Sequence, residues 1–185
     1  MAKARAAART KGMDAVKLLK ADHRTVEGLF KSYENAKGKP AKARMAQQIC
    51  MELCIHATIE EEILYPSVTG KVEDDKLNEA YVEHDGAKVL LAELLAGSPE
   101  EDFYDAKVKV LSENIKHHVK EEEQRDGLFD QAKKGGADLA KLGQRLAERK
   151  EELKKAYKQS GIPTPETRSM KGAKLKVSQP FVIGR

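Results

Sequence analysis

The sequence predicts an all-α protein, an up-down-up-down four-helix bundle with an additional C-terminal helix and an extended tail. Three observations carry that reading. Ala, Leu, Glu and Lys dominate a chain of 185 residues that is 5% aromatic and has no Trp, a composition that favours helix. Apolar residues recur at alternating three- and four-residue spacing over long stretches, the period of a helix with one buried face. Breakers at Gly38-Lys39-Pro40, Tyr65-Pro66, Gly97-Ser98-Pro99 and Gly135-Gly136 divide these stretches with short connectors, which favours antiparallel neighbours.

Asp14 can cap a first helix from about Met13 to Lys37, closed by Gly38-Lys39-Pro40. A second helix runs from about Ala41 to near Tyr65-Pro66, because proline disfavours helical geometry in the residue before it. Asp74 and Asp75 start a third, which continues through Leu95 and stops at Gly97. Ser98 as cap and Pro99 at the first helical position open a fourth; it weakens at Gly127 and finishes before Gly135-Gly136. Leu139, Leu142, Leu146 and Leu153 among charged residues predict a fifth, amphipathic helix from about Asp138 to Tyr157, packed across the bundle. Beyond Gly161, the spacing of Pro163, Pro165 and Gly172 predicts an extended or disordered segment. The organisation is therefore a basic N-terminal tail (1–12), the bundle (13–135), a C-terminal helix packing on it (136–160) and an extended or disordered basic tail (161–185).

An apolar content of 40% suits one ordinary core rather than two. The net charge of +4 is concentrated at the ends, in Lys3, Arg5, Arg9 and Lys11, and in Arg168, Lys171, Lys174, Lys176 and Arg185 against Glu166. A folded nucleic-acid reader carries its charge on a helix or sheet face, so a nucleic-acid partner is disfavoured. No stretch is long and apolar enough to span a bilayer, which argues against a membrane partner. Cys50 and Cys54, four apart on one helix, have poor geometry for a disulfide, and reduced thiols suit a cytoplasmic location.

The core-facing seams hold the chemistry. They are Val16, Leu19, His23, Val26 and Phe30 in the first helix, and Ile49, Leu53, His56, Glu60 and Ile63 in the second. The third has Leu77, Ala80, His84, Ala87 and Leu91; the fourth has Val108, Leu111, Ile115, His118 and Glu122. A single seam histidine usually marks a hydrogen-bonded core residue. Four imidazoles and two carboxylates in one core would leave buried polar groups unsatisfied, at several kcal/mol for each unpaired ion, unless something shared compensates them. A metal compensates all six. Residues four apart share a helix face, so His56 with Glu60, and His118 with Glu122, can reach one centre. Six such ligands without a thiolate are too many for tetrahedral zinc, whereas two metals sharing carboxylates fit the count. Imidazole with carboxylate suits iron, and the Glu-x-x-His motif of ferritin-like sites is absent.

The pattern His, His-x-x-x-Glu, His, His-x-x-x-Glu over four helices resembles bacterial hemerythrin-like (HHE cation-binding) proteins. His56-Ala57-Thr58-Ile59-Glu60-Glu61-Glu62-Ile63-Leu64-Tyr65-Pro66 is similar to the second-helix signature of that family, and His118-Val119-Lys120-Glu121-Glu122-Glu123 to the fourth. The likeness covers roughly residues 13 to 132. It implies two Fe ions in an oxo- or hydroxo-bridged centre, with Glu60 and Glu122 bridging, His23 and His56 on one iron, and His84 and His118 on the other. Oxygen-carrying members place a further histidine four residues from the one in the third helix, where this chain has Ala80 and Lys88. One iron then lacks an imidazole, and Tyr81 is a candidate extra ligand for it. Glu123 is an alternative bridge, but Glu122 repeats the spacing of Glu60. The Leu128-Phe129 pair falls two residues later than Leu64-Tyr65 does after its histidine, which implies a bulge near Gly127. His117 belongs at the surface or beside the ligands, and Asp22 and Asp85 point away from the histidines they adjoin. The resemblance implies a diiron protein that binds or reacts with oxygen, nitric oxide or hydrogen peroxide in a redox or oxidative-stress response. Catalase-like or oxidase activity is one expectation; an iron or redox sensor, or an oxygen carrier without catalysis, is the other.

Overall fold

A computed structural model describes residues 12–172, and most of the two basic tails, including Lys3, Arg5, Arg9, Lys11, Lys174, Lys176 and Arg185, lies outside them. Helix α1 (Ala15–Glu34) starts where Asp14 accepts a hydrogen bond from the Lys17 N–H at 2.9 Å. It ends three residues short of Lys37 because the Asn35 side chain donates to the Lys31 carbonyl at 2.7 Å and closes the last turn. Helix α2 (Lys39–Ile59) takes Pro40 into its first turn, where a missing N–H costs nothing, so it begins two residues before the expected Ala41.

The expected stop at Tyr65-Pro66 does not occur. The chain continues through a π-helical turn, Glu60–Leu64, into the short α3 (Tyr65–Val68). Pro66 has no N–H to offer the preceding turn, and the π turn widens the helix just before it, with the Tyr65 N–H reaching the Glu60 carbonyl five residues back.

Helix α4 (Asp74–Ala96) stops before Gly97 as expected. Helix α5 (Tyr104–Glu123) starts six residues after Ser98. Ser98 and Pro99 head tight turns, in which the Ser98 hydroxyl accepts from the Glu100 N–H at 3.2 Å, and Phe103, at φ 67°, cannot continue a helix. The break near Gly127 separates α5 from α6 (Leu128–Lys134). A Cβ at Gly127 would lie 2.4 Å from the Glu121 carbonyl oxygen, so only glycine fits this turn. Helix α7 (Leu139–Ser160) is capped by Asp138, which accepts from the Lys141 N–H at 3.0 Å.

Helices α1, α2, α4 and α5 close a ring in which each packs on its two neighbours, and α7 lies across α1, α2 and the π turn. Leu19, Ile49, Leu91 and Leu111, one from each helix of the ring, are at most 1% exposed, and each such side chain contributes roughly 1.5–3 kcal/mol of hydrophobic stabilisation. After α7 the chain runs extended along the bundle. Ile162 is buried, and the backbone N–H groups of Arg168, Ser169 and Met170 all donate to Asp85 Oδ2. Cys50 and Cys54 are buried free thiols. Among the described residues no helix is long and apolar enough to cross a membrane.

Candidate metal centre

His23, His56, His84 and His118 stand on the four ring helices at one level of the core, and all are at most 5% exposed. Their Nε2 atoms point at one another in two pairs, His23 to His56 at 3.1 Å and His84 to His118 at 3.2 Å. Glu60 and Glu122 stand between the pairs. Glu60 Oε2 is 3.1 Å from His56 and 3.4 Å from His84; Glu122 Oε2 is 3.3 Å from His23 and 3.6 Å from His118. Each carboxylate thus touches one histidine of each pair. Two ligand clusters result, His23-His56-Glu60-Glu122 and Glu60-His84-His118.

The π turn adds a group that the sequence reading missed. In a regular helix, a residue five after Glu60 would sit about 140° round from it. The extra residue of the turn brings Tyr65 back over Glu60. Its hydroxyl lies 3.1 Å from Glu122 Oε1, 3.4 Å from Glu60 Oε2 and 3.3 Å from His84 Nε2. The hydroxyl beside His84 Nε2 is therefore that of Tyr65, not that of Tyr81. Tyr81 packs edge-on against the Tyr65 ring and turns its own hydroxyl to Arg168, 3.4 Å away. Burial, then the Glu122 and Glu60 charges, push the Tyr65 phenol well above its ordinary value.

A second ring of carboxylates surrounds the first. Glu123 accepts from His23 Nδ1 at 2.7 Å, Glu61 from His84 Nδ1 at 3.0 Å and Glu83 from His118 Nδ1 at 2.8 Å, while Asp22 stands 3.8 Å from His56 Nδ1. Each helix serves the next: α1 reaches α2, the π turn reaches α4, α4 reaches α5 and α5 reaches back to α1. Asp22 does turn away from its sequence neighbour His23, but toward His56. Three outer carboxylates have a cation, Lys150 for Asp22, Lys88 for Glu61, and Arg24 with Lys20 for Glu123, and Glu83 lies 3.3 Å from the surface imidazole of His117. Such partners fix the tautomer of a ligand histidine and leave Nε2 free for metal. A sequence signal for them existed, because every outer carboxylate is adjacent in sequence to a seam ligand: Asp22 to His23, Glu61 to Glu60, Glu83 to His84 and Glu123 to Glu122. Glu122 lies on the Nε2 side of the histidines and Glu123 on the Nδ1 side of His23. Asp85 instead holds the extended segment after α7.

The donor set fits a cation. Within the inner cluster, Glu60 Oε1 and Glu122 Oε2 are fully buried without a hydrogen-bond partner, at a cost of about 1–3 kcal/mol for each group so left. The electrostatics agree: burial acts to lower the imidazole pKa values, yet Glu60 and Asp22 push His56 up to about 10, and Glu60 and Glu61 push His84 up to about 9. The cluster is short of positive charge.

Comparison with known proteins follows the same lines. The chain matches a solved hemerythrin HHE cation binding domain-containing protein from Mycobacterium kansasii with a TM-score of 0.66 and 24% identity, over 78% of this chain and 89% of that one; at that identity the likeness is one of fold. A DNA nickase from a Nostoc strain is 30% identical over 111 residues, 60% of this chain and 32% of that protein, so the chain spans about a third of the relative's length. Residues 14–127 match the hemerythrin HHE cation binding domain. That segment is more than half of the sequence and contains every inner ligand candidate, and the chain belongs to the hemerythrin HHE cation binding domain family.

Proposed function

We propose that the protein is a non-heme diiron protein that binds or reacts with one small ligand: hydrogen peroxide, oxygen or nitric oxide. The observation that carries this reading is the space beside the ligands. A cavity of about 20 Å³ touches all four histidines and is otherwise walled mainly by Val26, Leu53, Leu91, Ile115 and Val119. It has room for a molecule of diatomic or peroxide size, since one water needs about 10–15 Å³ on this measure.

In this reading Glu60 and Glu122, which each stand beside one histidine of each pair, would hold the two irons together with His23, His56, His84, His118 and the Tyr65 oxygen. Bound iron would supply Lewis acidity and one-electron redox change. The protein's own groups hold the imidazoles in register through Glu123, Glu61 and Glu83, exclude bulk water with the aliphatic wall, and keep a proton on the Tyr65 hydroxyl. The DNA nicking named for the Nostoc relative is not carried over, because the match covers only 32% of that protein.

Metal analysis with optical spectroscopy tests the reading. Two irons per chain are expected, and loss of both in the double variant His56→Ala, His118→Ala. Fewer than two irons in the wild type, or full retention in the double variant, overturns the site. Oxygen evolution on adding peroxide would mark a catalase-like enzyme, and a reversible adduct of the reduced form with oxygen would mark a carrier.

A further inference from the structure

We infer that the surface cavity beneath residues 163–168 is the entry vestibule of the site, and that Ala57 and Lys88 form the partition that selects what reaches the four imidazoles. The inference rests on the diiron reading above. Among the described residues, two large cavities that open on the surface near the site bear on the route. One, of about 550 Å³, lies between α2, α7 and the extended segment from Pro163 to Arg168, and its floor carries Glu61, Lys88 and Ala57. The other, of about 560 Å³, lies between α1 and α6, and Val16, Glu123 and Phe129 help to line it. Each ends on a carboxylate that holds a histidine, Glu61 on His84 or Glu123 on His23.

They differ in how they meet the inner cavity. Ala57 and Lys88 line both the first cavity and the inner one, so a single layer of side chain separates solvent from the imidazoles there. The second cavity shares no lining residue with the inner one, and the Phe129 ring stacks on His23 between them, with centroids 5.9 Å apart.

The partition is narrow and held in place. Lys88 Nζ donates to Glu61 at 2.9 Å and to Asp85 at 3.2 Å, and Asp85 in turn accepts three backbone N–H groups and the Ser169 hydroxyl from the extended segment. Moving the ammonium aside breaks charge-assisted hydrogen bonds. Ala57 contributes only a methyl group. A small polar molecule, such as hydrogen peroxide or azide, can pass a methyl group beside an ammonium. An organic substrate is turned back.

Azide binding to the iron-loaded full chain, followed by stopped-flow absorbance, tests the route. A plug in an entry path raises the barrier, so Ala57→Phe should slow association by about tenfold or more; because Ala57 also lines the inner cavity, its dissociation constant can change as well. Thr58→Trp fills the vestibule on its solvent side, at a half-buried position outside the inner cavity, so it leaves the end states alone and should slow association and dissociation alike, with the dissociation constant held within about twofold. Because the chain has no Trp, the emission of that variant also reports on the metal-free protein: iodide should quench it. Val16→Trp fills the rival cavity and should leave both rates unchanged. Unaltered rates in the two vestibule variants, slowing in Val16→Trp, or emission that iodide does not reach each overturn the route. A protein that takes up iron and binds azide at unaltered rates loses the route alone; one that takes up no iron loses the diiron reading as well.

Discussion

Removing one oxygen atom tests the half of the site that lacks an imidazole. Tyr65→Phe keeps the ring that fills the space over Glu60 but deletes the hydroxyl within 3.4 Å of Glu122, Glu60 and His84. The variant should still take up iron through the four histidines and lose the visible absorption of a phenolate on iron, while Tyr81→Phe keeps it. Its metal-free form should be less stable by about 1 kcal/mol, the usual net worth of a buried hydrogen bond. An unchanged visible spectrum in Tyr65→Phe would remove Tyr65 from the ligand set. At this scale the six inner residues were legible because histidine and carboxylate at seam positions break the apolar pattern in a way that only burial explains. Tyr65 was not, since a regular 3.6-residue period turns it away from Glu60, and nothing in the local text announces a π turn except Pro66, which reads equally well as a stop.

Helix boundaries follow the strongest local hydrogen bond on offer. Asp14 and Asp138 were readable as caps because a side-chain carboxylate satisfies a free N–H of the first turn. Ser98-Pro99 offered the same signal, yet the chain spends it on tight turns, because Tyr104 is buried with its hydroxyl on the Leu94 carbonyl at 3.2 Å, which sets where α5 begins. Close approach between elements was not legible at all. A Cβ on Gly143 would lie 2.2 Å from the Met13 carbonyl oxygen, so α7 meets the start of α1 at backbone contact. Gly143→Ala should cost about 1–3 kcal/mol by overpacking, seen as a lower urea midpoint with an unchanged slope; an unaltered midpoint would mean that the two helices part without cost. At the other end of the bundle, Tyr33 of α1 and Lys42 of α2 converge on Asp105 of α5, at 2.6 and 2.5 Å. The Lys42 and Tyr33 hydrogen bonds depress the Asp105 pKa. A depressed carboxylate stabilises the fold above its unfolded-state value and loses that contribution as pH falls through the folded value. Tyr33→Phe should therefore be less stable than the wild type by about 0.5–1 kcal/mol at pH 7, a discounted figure because Asp105 is half exposed, and the gap should close below about pH 4. Denaturation at pH 7 and pH 3 measures it.

On the scale of the whole molecule, the sequence reading treated α7 as a helix added to a finished bundle, and the wiring around His56 gives it a larger part. Lys150 of α7 is 9% exposed and forms an ion pair with Asp22, the carboxylate facing His56 Nδ1. Of the other three outer carboxylates, Glu61 and Glu123 take their cations from within the ring of four helices, from Lys88, Arg24 and Lys20, and Glu83 faces the His117 ring there. The cation on Asp22 instead comes from a helix beyond residues 14–127, the segment that matches the family. No period or motif could have shown this, because Asp22 and Lys150 are 128 residues apart and each reads locally as one more charge on an amphipathic helix. Lys150→Met keeps the stem and removes the charge, leaving Asp22 buried and unpaired, which for a buried pair costs about 3–5 kcal/mol. If α7 also positions His56, the variant should bind metal about 10–100-fold more weakly, the usual effect of losing such an outer partner. Asp22→Asn combined with Lys150→Met removes both charges and should recover stability without recovering metal affinity. Recovery of both would make the ion pair a strut and nothing more, and metal affinity unaltered in Lys150→Met would cut α7 out of the site.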